Sequence, residues 1–253
     1  MPGDYWRQFA GMRALAFYQV THPGGKLNFM GNEIAQFIEW RYYEGIQYFL
    51  AEQYETHRHQ QQFVRDLNRF YNDNAALWQC AFASEGFEWI DADNADQSII
   101  SFIRRGDKPG DELVILINFD VNAREDFRMG VPEWGVYEEM FNSDDERYGG
   151  SGVINTGKLK CQDEPWNGRE QSLVVRVPPL GGMILKKTGT LRRPAKKKPA
   201  AKATKTAAKA AKTAEKAAPK KPAAKKPAAK KATSSVKAAS SKKPAARKTT
   251  KAE

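Results

Sequence analysis

Apolar positions recur at helical spacing in two places within the first seventy residues. Across residues 4–20, Phe9, Met12, Leu15, Ala16 and Val20 mark one helical face, and Asp4 stands where an N-cap belongs. THPGG at residues 21–25 ends that helix, because proline cannot continue it and glycine disfavours it. A second helix is predicted over residues 56–72, where Phe63, Leu67, Phe70 and Tyr71 form one buried stripe. Between them lies KLNFMGNEIAQFIEW, residues 26–40. Residues 26–30 read as a short buried strand, which Gly31, Asn32 and Glu33 break into a polar turn. Residues 36–54 are rich in aromatics and irregular. Helix, strand, long loop, helix is the cadence of an α/β layer.

From Leu77 the period changes. GFEWIDADN, QSIISFIRRGDKPG, ELVILINFD, EDFRMGVPEWG, VYEEMFNSDD, SLVVRVPPLGG and MILKKTG are short runs rich in β-formers, divided by Gly, Pro, Asn and Asp. They predict an all-β module over residues 77–187, a sandwich of antiparallel strands, and a boundary at 76/77. Residues 188–253 are Lys, Ala, Pro, Ser and Thr with no aromatic residue, and KKPAAKKPAAKK is an imperfect repeat. Such a segment has too little apolar area to offset chain entropy, so disorder is expected there.

Charge divides the same way. Residues 191–253 carry 22 Lys and Arg against 2 Glu, whereas the preceding 190 residues carry 19 basic and 28 acidic groups. The overall +11 therefore hides an acidic body with a basic tail. Only the tail invites a polyanion, through counterion release without base reading. Cys80 and Cys161 fit no CxxC pattern, no signal peptide opens the chain, and no apolar run reaches the ~18 residues of a membrane span. The expectation is a reduced, cytoplasmic protein without a membrane partner.

Among candidate sites, Gly31, Asn32, Glu33, Gln36, Glu39 and Trp40 combine an aromatic face with amides and carboxylates, the chemistry that stacks on sugar rings and binds their hydroxyls. The competing reading is two ordinary loop carboxylates and a core tryptophan. His57 and His59, two apart on a helix, point to different faces and make no metal pair. His22 lies near a helix C-terminus, where a cation is mildly favoured. YGGSG at residues 148–152 lacks the lysine and helix of a phosphate cradle and reads as a turn. No metal or cofactor is expected.

Several stretches together resemble one family. MPGDYWRQFAGMRAL, THPGGKLNFMGNEIAQFIEW, HRHQQQFVRDLNRFY, GFEWIDADN, REDFRMGVP, FNSDDERYGGSG and VPPLGG are similar to the C-terminal half of bacterial 1,4-α-glucan (glycogen) branching enzymes, members of the α-amylase superfamily, in unbroken order to about Lys187. The tail is outside this resemblance and is similar to linker-histone-type tails. The resemblance implies the incomplete C-terminal portion of a (β/α)8 barrel in residues 1–76, with residues 26–30 as its eighth strand, then the β-sandwich domain and the tail. Gly31, Asn32, Glu33, Gln36, Glu39 and Trp40 would then rim a cleft for α-1,4-glucan (glycogen or amylose) at the C-terminal end of the barrel. The chain departs from the family at Arg41-Tyr42-Tyr43, where many members carry an Asn-His-Asp-type stretch.

The family transfers an α-1,4-glucan segment to a 6-hydroxyl by double displacement, using an aspartate nucleophile, a glutamate acid and a second aspartate. The resemblance puts all three on segments preceding Met1, so no catalytic residue is assigned in this chain. Met1 matches an internal methionine of the family, which implies a truncated gene product, a mis-assigned start or half of a split enzyme with a separately encoded N-terminal half. Without their barrel neighbours, the helical stripes of residues 1–76 are expected to face water. The rival class is a non-enzymatic protein whose β domain binds glucan and whose tail binds nucleic acid. For the tail, the intact chain is expected to retard a DNA or RNA probe at low salt and release it at high salt. Deleting residues 188–253 should abolish the shift in an electrophoretic assay, and a shift surviving the deletion would move binding elsewhere.

Overall fold

The computed structural model describes residues 2–194; the segment for which disorder is expected lies, beyond residue 194, outside the described residues. Helix α1 spans Tyr5–Thr21, α2 Phe49–Gln53 and α3 Glu55–Asp73. Asp4 caps α1 as expected, its carboxylate accepting from the Arg7 amide at 2.9 Å. Strands follow at Phe87–Asn94 (β1), Ile99–Arg105 (β2), Glu112–Asn118 (β3), Arg124–Gly130 (β4), Val136–Asn142 (β5), Leu159–Lys160 (β6), Ser172–Val177 (β7) and Gly181–Gly189 (β8). A six-stranded sheet runs β1-β2-β3-β8-β5-β6, a two-stranded sheet pairs β4 with β7, and every pairing is antiparallel.

Strand β3 explains the layering. Its sequence, ELVILIN, is a continuous apolar run, the signature of a strand covered on both faces. Val114 and Leu116 point to the two-stranded sheet and meet Met129, Leu173, Val175 and Val177. Leu113, Ile115 and Ile117 point the other way, to Phe17 of α1 and Phe63 and Leu67 of α3. The large sheet is thus the middle layer, with helices on one side and the small sheet on the other. Each fully buried Leu or Phe contributes about 1.5–3 kcal/mol.

Three expectations for residues 1–76 are corrected here. First, residues 26–30 form no strand: they are extended backbone and turn, with Leu27, Asn28, Phe29 and Met30 exposed. Among the described residues no strand lies alongside to accept their backbone hydrogen bonds, and a strand exists only by pairing. Second, the helical stripes do not face water, because the outer face of the large sheet receives them. Third, the buried face of α1 is Phe9, Ala10, Arg13, Ala14, Phe17 and Thr21, not the face traced through Met12 and Leu15. Small Ala10 and Ala14 allow close approach, while Leu15 stays 49% exposed. Gly182 makes the seat for α1: a Cβ there would lie 2.3 Å from the Phe17 ring, so only glycine fits.

The expected boundary at 76/77 consequently falls inside a shared core, since Ala76 and Leu77 pack in the same cluster as the sheet residues Phe102 and Ile184. The expected tail boundary at 188 falls within β8, and the next residues hold to the sheet surface. Arg193 pairs with Asp163 at 2.9 Å and Glu170 at 3.0 Å and lies over the Trp134 ring. Among the described residues, no helix is long and apolar enough to cross a membrane.

One buried side chain ties the end of α1 and the connection after α3 to the sheet. Arg104, fully buried on the helix-facing side of β2, donates to the carbonyls of Thr21 at 2.7 Å, Leu77 at 2.9 Å and Gly86 at 3.2 Å. Thr21 ends α1, so its carbonyl has no partner within the helix. Lys26 donates to the neighbouring His22 carbonyl, and the Thr21 hydroxyl donates to Phe17 O at 2.8 Å. Burial, with Arg104 close by, lowers the Lys26 pKa to about 8. Replacing Arg104 by Met should cost about 3–5 kcal/mol in urea denaturation, because three buried carbonyls lose a charged donor together. A loss below about 1 kcal/mol would show that water or another donor replaces it.

Candidate functional site

The six candidate residues do not form one cluster pointing one way. Gly31, at φ 90°, opens a short 3-10 turn over Asn32–Ile34, which closes with Ala35 at φ 52°. Both are left-handed conformations, which glycine adopts without penalty and alanine does not. The Glu33 carboxylate turns back onto the Gly31 amide at 2.9 Å and accepts from the Tyr48 hydroxyl at 3.0 Å. That acceptor raises the Tyr48 pKa. Gln36 lies directly over Gly31, where an added Cβ would fall 2.2 Å from its Cδ. Its side chain donates to Ile38 O at 3.0 Å and accepts from the Gln47 amide at 3.2 Å.

Gly31, Glu33 and Gln36 therefore shape the loop, while Asn32, Glu39 and Trp40 are presented to solvent. Trp40 is 37% exposed and meets Phe29 edge-on at 6.2 Å, so the core-tryptophan reading fails. In the same stretch of chain, Phe37, Tyr42, Tyr43, Tyr48, Phe49 and Tyr54 also expose large parts of their rings. An aromatic surface of this extent, with amides and carboxylates at its edge, is suited to a partner or ligand. Rings can stack on an apolar sugar face while Asn32 and Glu39 meet hydroxyls.

His57, weighed above only as half of a metal pair, has a structural role that its sequence context did not reveal. It is fully buried on α3, and its Nδ1 donates to Ile34 O at 2.7 Å, which leaves Nε2 to accept from the Tyr5 hydroxyl at 3.2 Å. Phe9 and Phe37 meet the ring edge-on. His57 thus pins the 31–36 turn to both helices, and its place four residues before Gln61 on an otherwise polar first turn gave little warning of burial. His59 faces elsewhere and pairs with Glu55 at 3.7 Å. At His22 the expected helix-end benefit to a cation is outweighed: burial lowers its pKa, and Lys26 and Arg104 add to the effect against the Pro23 hydrogen bond. Among the described residues, no three His, Cys, Asp or Glu side chains stand where they could share a metal ion.

YGGSG wraps a carboxylate. Asp144 accepts from the Ser151 amide at 2.8 Å, the Ser151 hydroxyl at 2.7 Å and the Val153 amide at 3.1 Å. Buried Arg13 donates from α1 to the Ser143 carbonyl beside it at 2.9 Å. Burial lowers the Arg13 pKa to about 10, which leaves it charged at neutral pH. The glycine-rich segment is a structural turn joining β5 to the helices.

Residues 89–188 match the family described as alpha amylase, C-terminal all-beta domain. The chain is 44% identical over 186 residues to the 1,4-alpha-glucan branching enzyme GlgB of Halothermothrix orenii and 43% identical over 187 residues to that of Clostridium perfringens. It is 47% identical over 180 residues to that of Oceanobacillus iheyensis. These alignments cover 74%, 74% and 71% of this chain but 29%, 28% and 28% of the relatives. The chain thus spans under a third of their length. It is homologous to their C-terminal part, a short helical region followed by an antiparallel β domain.

Loss of the His57 anchor gives a direct check on the loop. His57→Phe should destabilise the protein by about 1–3 kcal/mol, since the Ile34 carbonyl and Tyr5 hydroxyl lose their partner. Hydrogen exchange at the amides of residues 34–36 should accelerate with it, and unchanged exchange there would contradict the anchoring role.

Proposed function

We propose that this chain, the homologue of the C-terminal part of 1,4-α-glucan branching enzymes, supplies one wall of the glucan cleft and the supporting β domain of such an enzyme. The reaction of the whole assembly is transfer of an α-1,4-glucan segment to a 6-hydroxyl, forming an α-1,6 branch. The observation that carries this reading is the 44% identity over 186 residues. That length exceeds the span of the all-β match at residues 89–188, so the likeness reaches beyond the β domain.

In this reading residues 1–76 are the last part of a (β/α)8 barrel, residues 77–187 the C-terminal domain and residues 188–253 an appended tail. Residues 26–30 would become a strand only when a neighbouring barrel strand offers its edge. Gly31, Glu33 and Gln36 hold the turn after that strand in shape, and Asn32, Glu39 and Trp40 contact glucan. The nucleophile, the acid and the second aspartate come from the partner portion, a separately encoded N-terminal half or a longer form of the same polypeptide. Double displacement needs two carboxyl groups about 5 Å apart on opposite sides of the scissile bond. The chain alone should therefore form no branches.

The second reading, a glucan-binding β domain joined to a polyanion-binding tail, draws on the 22 basic residues of the tail and is compatible with the first. A chimera separates the roles. The C-terminal part of the Clostridium perfringens enzyme is replaced by residues 1–194, and α-1,6 linkages formed from amylose are measured. The chimera should branch amylose, and Trp40→Ala in it should lower kcat/KM about tenfold, a loss of about 1.4 kcal/mol. A folded chimera without branching activity, or branching by the isolated chain, would overturn the proposal.

A further inference from the structure

The β domain carries a groove of about 590 Å³ far along the chain from the 31–40 loop, lined by Asp91, Asn94, Gln97, residues 123–128, Trp166 and Asn167. Its volume is within the range of about 300–1,000 Å³ common for ligand sites. The feature that gives it direction is Trp166, which is 47% exposed. A surface tryptophan on a loose loop would mean little, but this one is held firmly. Trp166 and Arg169 exchange backbone hydrogen bonds at 3.0 and 2.8 Å across Asn167-Gly168, both at positive φ (46° and 71°). Asn-Gly with two positive φ values is the tight hairpin turn that matches strand twist.

Three further contacts fix that turn. Asn167 accepts from the Gly130 amide at 3.0 Å and donates to Asp91 at 3.2 Å. Arg169 pairs with Glu88 on β1, and Glu88 also binds Arg105 at 2.6 Å. The backbone of β4 passes so close that a Cβ on Gly130 would fall 2.3 Å from the Trp166 carbonyl. The indole is thus kept half in solvent by a rigid frame, at the cost of burial it would otherwise gain.

The polar lining selects the ligand class. Asp126 is exposed on β4, and its carboxylate forms no hydrogen bond or ion pair with a described side chain. Asn94 and Gln97 hold one another at 2.8 Å, each keeping further amide capacity. Arg124 binds Asp120 at 2.6 Å and leaves its Nε without a partner among the described residues. Arg128 is held by Ser172 and Glu164. Charges of both signs, already paired in part, disfavour a polyanion. Amides, a free carboxylate and an aromatic platform favour a neutral chain of hydroxyls with an apolar face.

We propose that this groove is a second carbohydrate site, separate from the 31–40 loop, in which Trp166 stacks on a sugar ring and Asp126, Asn94 and Gln97 bind its hydroxyls. That the sugar is an α-1,4-glucan rests on the function proposed above. The site would hold a polymer chain while its end is worked on elsewhere.

Co-sedimentation with glycogen tests it on the intact chain. The wild type should pellet with glycogen, and Trp166→Ala should reduce the pelleted fraction at least fivefold while Tm stays within a few degrees. Asn167→Ala, which loosens the turn and leaves the indole in place, should give an intermediate loss. Equal pelleting of the wild type and Trp166→Ala, or no pelleting of the wild type, would overturn the groove proposal. Neither outcome bears on the chimera's branching activity, so failure of the two proposals can be told apart.

Discussion

The relation of the helices to the sheet depends on satisfying buried carbonyls that have no partner within their own segments. Arg104 answers three of them from one guanidinium, at the end of α1, at Leu77 and at Gly86. A buried cation without a carboxylate is usually expensive. Here the carbonyl dipoles substitute for water, and the α1 terminus adds its negative end. The cationic surroundings also disfavour charge on His22 and Lys26. Because the three acceptors come from separate segments, one residue sets the relation between helix, connection and sheet.

The elements legible in the sequence were those with a strong period and a local stop. α1 and α3 were found nearly to the residue, with Asp4 as a cap, and ELVILIN was found as a strand, although its burial on both faces was not read. Residues 26–30 misled because apolar composition records a wish for burial, not a partner for the backbone. The face of α1 misled for a related reason. Large residues dominate a hydrophobic pattern, but the buried face of α1 includes small Ala10 and Ala14, and Arg13 lies on it to meet Ser143.

The candidate loop shows the same division. Composition grouped Gly31, Asn32, Glu33, Gln36, Glu39 and Trp40 by chemistry, yet three of them spend their polar groups or their lack of a side chain on the turn itself. Residue type cannot reveal that division, since an inward Glu and an outward Glu read alike. His57 was illegible because its partners, Ile34 and Tyr5, come from elements distant in sequence. Trp166 sits on the strongest local turn signal in the chain, Asn-Gly, although nothing in that signal says the indole stays exposed.

The contact between Phe17 and Gly182 has a temporal side. It joins α1 to β8, the first described helix to the last described strand, with β3, β5 and the whole small sheet between them in the chain. Until β8 has been made, α1 lacks the part of its seat that Gly182 provides, and β3 and α3 offer only the remainder. Docking of α1 is therefore complete only when a strand distant in the chain has joined the sheet, so the helical layer and the sheet finish folding in one step.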